Sequence, residues 1–450
     1  MKCYRSFTIL FKFLCYLLVL RSPVVSAQQS ATGEKSLYLP GKVMRVPDGN
    51  DYHSNESEFS YQRMVQSPNI AIFWHREFGA DPAKNADSAK RFDVNEALKE
   101  CERFYGYYVN ELKLVQKGNS LTDRYKMILY VIGGDEQTAF GGGVENKIGI
   151  LWTPAVRMSK APYGALAHEL GHAFQYMSRS DSKAGPRGPI MEMSAQYMLW
   201  QVYPEWMTFE NYHLKSYLKK THYAFLHPQN MYHSPYVLEY WSEKHGKTFF
   251  GELCRSTQEG EDPVMTYKRL TGVSQEKFND EMFEAAGRFM TWDLKRVAKE
   301  AARYANQHST RLNPAKGGWW KVDSANCPQN YGYNGIALTV PASVKMVTPE
   351  FEGIAGAKGY SDYKSGHAGW RYGFVAFQKD GTRVYGKMSR EAKGKLKFKV
   401  PADTQNLWLV VSGAPTEHWV VPFGRQKTVA PEEQWPYQIR LSGTSIAQTE

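Results

Sequence analysis

The chain has 450 residues, 42% of them hydrophobic and 22% charged. At roughly 100–200 residues per domain that allows two or three domains with a sizeable core, and it excludes disorder, collagen-like repeats and coiled coil for most of the length. The formal charge is +11, but Lys2, Arg5, Lys12 and Arg21 supply four of those charges in the first 27 residues, which hold no acid, leaving +7 for the rest. No run of five or six basic residues concentrates that excess, so no nucleic-acid partner is expected.

In chain order, Lys2 and Arg5 precede the apolar run Phe13 to Leu20, and Val25-Ser26-Ala27 offers the small side chains that a signal peptidase requires. Residues 1–27 therefore read as a cleavable signal, and the mature protein as secreted, to the extracellular space or a periplasm. Cys15 lies within the apolar run and lacks the small residues that precede a lipid-modified cysteine. No later stretch offers about 18 consecutive apolar residues, so no transmembrane segment is expected. Cys101, Cys254 and Cys327 remain, which allows one bridge at most and no disulfide framework or metal-finger spacing.

Residues 28–60 begin polar and rich in Gly, Pro and Asn, and read as an extension leading into one or two strands. Residues 61–309 mix strand and helix signals. Asp93 with Glu96 resembles a capping box, and Ala97, Leu98, Cys101, Phe104, Tyr105, Tyr108 and Leu112 recur at helical spacing. Met127 to Ile132 is an apolar strand. Phe140-Gly-Gly-Gly143 and Ile148 to Trp152 read as a strand interrupted by glycines, either an edge that pairs with an extended peptide or an interior strand with a bulge. Helical patterns run from Ala161 to Met177, from Pro189 to Val202 before Pro204, and from Pro235 to His245 before Gly246.

From about 310 to 450 the period becomes two. Leu396, Phe398 and Val400 alternate with Lys395, Lys397 and Lys399; Tyr372 to Phe377 and Thr382 to Tyr385 flank the turn Lys379-Asp380-Gly381; Leu407 to Val411 and Tyr437 to Leu441 follow. Short strands with regular turns predict an all-β sandwich that folds by itself. Its Trp319, Trp320, Trp370, Trp408, Trp419 and Trp435 are either core residues or stacking platforms for a glycan or surface ligand.

The motif that carries chemistry is His168-Glu169-Leu170-Gly171-His172. Residues four apart share a helix face, so the two imidazoles converge while Glu169, about 100° round the helix from His168, flanks the point of convergence. That is an arrangement of two zinc ligands and a base. Leu166, Leu170, Ala173, Phe174 and Met177 form the apolar stripe that buries the other face. A third ligand is offered by Glu192, nineteen residues beyond His172, on the next helical segment and across a Gly/Pro/Ser-rich turn. The other histidines, among them His53, His75, His213, His222, His245, His308, His367 and His418, show no ligand spacing, and Glu259-Gly-Glu-Asp262 lacks the pattern of a calcium loop.

His168-Glu-x-x-His172 followed by Glu192 resembles the gluzincin branch of zinc metallopeptidases, with an interval similar to that of thermolysin-like enzymes. The likeness covers about residues 125–250, and the order of a zincin-like domain and a β-sandwich resembles a group of uncharacterised secreted bacterial metallopeptidases. The resemblance implies an α+β fold, Zn2+ held by His168, His172 and Glu192, Glu169 as the base that activates water, and a protein or peptide substrate. An oxyanion-stabilising side chain from a later segment is also implied, and Tyr232 and His233, just before the helix start at Ser234-Pro235, are the residues placed to supply it. The chain departs from thermolysin-like enzymes four residues past the third ligand, where Gln196 replaces the Asp that orients a zinc-bound His; its carbonyl accepts an N–H but brings no charge. The alternative reading is a non-catalytic protein that keeps this fold and binds glycan or protein through its β-sandwich.

Overall fold

The computed structural model describes residues 34–343, 346–423 and 431–447. The expected signal lies outside them. The described chain is α+β, with a mixed five-stranded sheet, a body of helices and two antiparallel sheets. No helix among the described residues is long and apolar enough to cross a membrane.

The first sheet contains β1 (Met64–Gln66), β2 (Ile70–Trp74), β3 (Met127–Ile132), β4 (Phe140–Val144) and β5 (Ile148–Pro154), in the order β1-β2-β3-β5-β4. The central β2, β3 and β5 are parallel, buried on both faces and apolar throughout. Their side chains divide with period two. Ile70, Ile72, Leu129, Val131 and Leu151 join the helical core, whereas Ala71, Phe73, Ile128, Tyr130 and Ile150 face a smaller cluster closed by Val43 and Phe59. The segment that covers this outer face, 34–60, contains turns and one isolated bridge, Ser36 to Tyr125, in place of the expected strands. Its polar residues satisfy the backbone locally: Asn50 and Asp51 accept from Phe59 N and His53 N, so no ladder is required.

The glycine-rich stretch resolves into an antiparallel hairpin. β4 and β5 pair from Phe140↔Trp152 to Val144↔Ile148, and Glu145 and Asn146 turn the chain at φ of 55° and 50°. β4 is thus the outer strand of the sheet, and the interior-strand reading is corrected.

On the helical face, α1 (Val94–Asn110) starts at Asp93, whose carboxylate accepts from Asn95 N and Glu96 N. Next come α2 (Gly164–Ser182), which begins beyond Pro162 and ends at a left-handed Lys183, and α3 (Ile190–Val202). The helices that follow are α4 (Trp206–Phe209), α5 (Asn211–Leu218), α6 (Tyr236–His245), α7 (Phe249–Ser256), α8 (Pro263–Thr271), α9 (Gln275–Phe289) and the single turn α10 (Ala298–Ala301). The acidic Glu259–Asp262 stretch has a structural use: Asp262 caps α8 through Val264 N and Met265 N, and Glu261 pairs with Arg269.

The C-terminal strands form two sheets. One comprises β8 (Tyr333–Leu338), β10 (Trp370–Gln378), β11 (Arg383–Tyr385) and β14 (Thr404–Gly413); the other comprises β6 (Leu312–Pro314), β7 (Trp320–Val322), β9 (Met346–Gly353), β12 (Lys393–Lys395), β13 (Phe398–Lys399) and β15 (Tyr437–Ser442). One apolar cluster draws on both: Ile336, Phe374, Leu407, Leu409 and Val411 from the first, Val322, Phe351, Tyr437 and Ile439 from the second. The alternate residues of the first sheet, Tyr333, Val375, Trp408 and Val410, enter the helical core instead, with α9 packed across β10 and β14. That sheet is therefore buried on both faces. Polar pairs fasten the same junction: Arg371 to Asp280 at 2.7 Å and His418 to Asp262 at 2.7 Å, all four side chains nearly buried.

Candidate metal centre

α2 and α3 pack as an antiparallel pair through small residues. A Cβ on Gly171 would stand 2.8 Å from the Met198 methyl and 3.4 Å from Ala195 Cα, so glycine permits the close approach. The approach brings Glu192, in the first turn of α3, across to the histidines of α2. Its Oε2 lies 3.2 Å from His168 Nε2 and 3.2 Å from His172 Nε2, and the two Nε2 atoms are 3.1 Å apart. These side chains keep 12%, 14% and 22% of their surface exposed for His168, His172 and Glu192, so their meeting point opens to solvent on one side.

The donor set fits a zinc ion. Ligand atoms 2.0–2.1 Å from a tetrahedral zinc stand about 3.3 Å from one another, and two imidazole nitrogens and one carboxylate oxygen form a triangle of nearly that size here. Donor atoms of His168, Glu169 and His172 also lie within 4.8 Å of one another, so the Glu169 carboxylate sits beside the triangle. Electrostatics agree. Burial opposes charge on Glu192, but its contacts with His168 and His172 outweigh that and hold its carboxyl well below the usual range. Burial likewise opposes charge on His172, and Glu192 more than offsets it, so His172 is raised above an ordinary imidazole. Burial pushes the Glu169 carboxyl up, against the pull of both histidines. A cation on the triangle would take the place of the proton that His172 otherwise holds beside the Glu192 carboxylate.

His172 is oriented by a residue that sequence reasoning did not single out. Gln175 Oε1 lies 2.9 Å from His172 Nδ1, and Gln175 Nε2 donates to Met191 O at 2.8 Å and to Ser194 Oγ at 2.9 Å on α3. Gln196, expected in that role, is engaged elsewhere: one turn further along α3 than Glu192, its Nε2 is 3.1 Å from His213 Nε2 on α5. A Gln three residues after a ligand, on a buried helix face, was the available signal for Gln175. Nothing local marked His213.

Of the two later residues expected at the site, Tyr232 interacts with Glu192: partial burial and then that carboxylate push its phenol up to about 12. Its ring stays exposed. His233 forms no hydrogen bond to the ligands and instead bonds His213, Nδ1 to Nδ1 at 2.7 Å. The opposite side of the site is β4. A Cβ on Gly141 would fall 2.1 Å from the Glu169 carbonyl oxygen, and one on Gly143 would fall 2.2 Å from the Tyr176 ring, so α2 lies directly against this strand. Beyond Gly142 nothing stands within 4 Å.

The C-terminal tryptophans are largely occupied. Trp370, Trp408 and Trp435 are buried, Trp319 lies under Arg440 at 5.0 Å, and Trp419 under Lys364 at 4.7 Å. Cys101, Cys254 and Cys327 are buried free thiols.

Fold and site together define an α+β protein with a His-Glu-x-x-His helix faced by a glutamate. The chain belongs to a protein family of unknown function, DUF6055, whose model matches residues 29–448. No curated protein matches it.

Proposed function

We propose that the protein is a secreted zinc-dependent metallopeptidase, with a zincin-like domain and a C-terminal β-sandwich that packs on it. The observation that carries this reading is the 3.1–3.2 Å triangle of His168 Nε2, His172 Nε2 and Glu192 Oε2 with Glu169 at its side. Zinc, held by His168, His172 and Glu192, would supply a Lewis acid and an acidified water. Glu169 takes the proton from the attacking water and returns it to the leaving amine. Gln175 fixes the His172 ring through Nδ1. Tyr232, whose phenol interacts with Glu192, is the proposed donor to the oxyanion. The outer edge of β4 offers unpaired backbone groups to an extended peptide, and Gly142 leaves the face turned from α2 open.

Glu169→Gln tests the assignment. It keeps the shape and removes the proton acceptor, so hydrolysis of an unstructured protein should fall ~10²–10⁴-fold while zinc content stays at one per chain. Undiminished activity removes Glu169 from the role of base. A wild-type protein that holds zinc yet cleaves no peptide favours the non-catalytic binding protein.

A further inference from the structure

The contact between His213 and His233 constrains where protons sit. Their Nδ1 atoms are 2.7 Å apart. Two N–H groups cannot point at each other at that distance, and two bare nitrogens repel, so one nitrogen is protonated and the other accepts. The other side of His213 decides which. Its Nε2 lies 3.1 Å from Gln196 Nε2, a group that only donates, so His213 Nε2 is bare and its proton is on Nδ1. Gln196 Oε1 is buried without a partner; reversing the amide would strand a buried NH2 instead, and orphaned donors are the rarer of the two. Glu210 Oε2, 3.7 Å from His213 Nε2, is too distant to bond it and already accepts from Trp206 Nε1 at 2.6 Å. The His213 ring is held against Trp206, stacked at 5.6 Å, and Tyr212, at 4.2 Å.

We propose that Gln196 and His213 are positioning residues that fix His233 as the neutral Nε2–H tautomer; His233 is next in sequence to Tyr232, whose phenol interacts with Glu192, and is bonded to His213, which faces the field of His168. The activity arm of this proposal rests on the metallopeptidase reading; the tautomer arm does not. Burial supports it, pulling His213 down to about 3 and His233 down to about 4, so both rings are neutral at pH 7. In this reading the residue after Tyr232 is a second neutral donor for a developing oxyanion, without a charge that would repel a metal.

The test is 15N NMR of the full zinc-loaded chain, which distinguishes protonated from bare ring nitrogens. His233 should show a bare Nδ1 and a protonated Nε2. Gln196→Glu supplies an acceptor where the wild type has a donor, so it should reverse the relay and leave His233 Nε2 bare. In that variant kcat should fall ~10²–10³-fold, the scale of a lost transition-state donor, with KM and zinc content unchanged. His213→Phe, which keeps the ring on Trp206 and holds no proton, should give His233 in both tautomers. A bare His233 Nε2 in the wild type, or one tautomer throughout the series, overturns the relay; an unchanged kcat in an active Gln196→Glu enzyme overturns its role. If the wild type cleaves no peptide, the NMR result still decides the relay, and the metallopeptidase reading alone falls.

Discussion

Gln175 does for His172 what the sequence suggested for Gln196, and it also ties α2 to α3 through Met191 O and Ser194 Oγ. Gln175→Leu is expected to weaken zinc binding about 10–100-fold, the usual cost of losing a ligand's outer partner, as measured by competition with a chelating dye. Without metal, the site makes stability depend on pH in two directions. The depressed Glu192 contributes above the ordinary carboxyl value of 4.5, and its contribution is lost as pH falls through the lower folded value; the raised His172 contributes below 6.5 and loses its share as pH rises through the higher one. Chelated protein should therefore gain most from this pair between those values, and a Glu192→Gln variant should lose that pH dependence in thermal melts. His168, Glu169, His172 and Glu192 were legible because a helical period and one turn place them. Gln175 was legible in principle from its i+3 offset. His213 was not, because it reaches the site's rim only when α5 packs beside α3.

Among the elements, helices with caps and stops were read close to their limits: α1 from Asp93, α3 before Pro204, α6 before Gly246. Helices α4, α5, α7 and α8 are too short to carry a long amphipathic period, although Asp262 caps α8; α9 carries one, Phe278, Met282, Ala285 and Phe289 behind the Ser274 cap, and was legible in principle. β4 and β5 looked like one strand because Glu145-Asn146 lacks the usual Asn-Gly turn signal. The three glycines of β4 are not equivalent, and that difference can be measured. Gly141→Ala sets a methyl against the Glu169 carbonyl, a backbone atom that cannot step aside, and should cost about 1–3 kcal/mol in denaturant unfolding. Gly142→Ala meets open space and should be neutral or gain up to about 1 kcal/mol.

For the whole molecule, alternation from 310 onward suggested a unit that folds alone, but alternation cannot reveal that the outward set of one sheet is also buried. Tyr333, Val375, Trp408 and Val410 enter the helical core, and fully burying such a side chain is worth about 1.5–3 kcal/mol. Together they match a domain's net stability of about 5–15 kcal/mol. A fragment starting at 310 should therefore aggregate or bind a hydrophobic dye when expressed alone, and co-expression with residues 28–309 should rescue it; a monomeric fragment with a cooperative melt counts against this packing argument. The metal centre stands in contrast, since all its residues lie between His168 and Glu192 on consecutive helices. Closing so short a loop costs little chain entropy, and the cost grows only with the logarithm of length. An ion on those three side chains acts as a clasp on one helical hairpin, able to close before the distant strands have found their places and to stay closed after they have left.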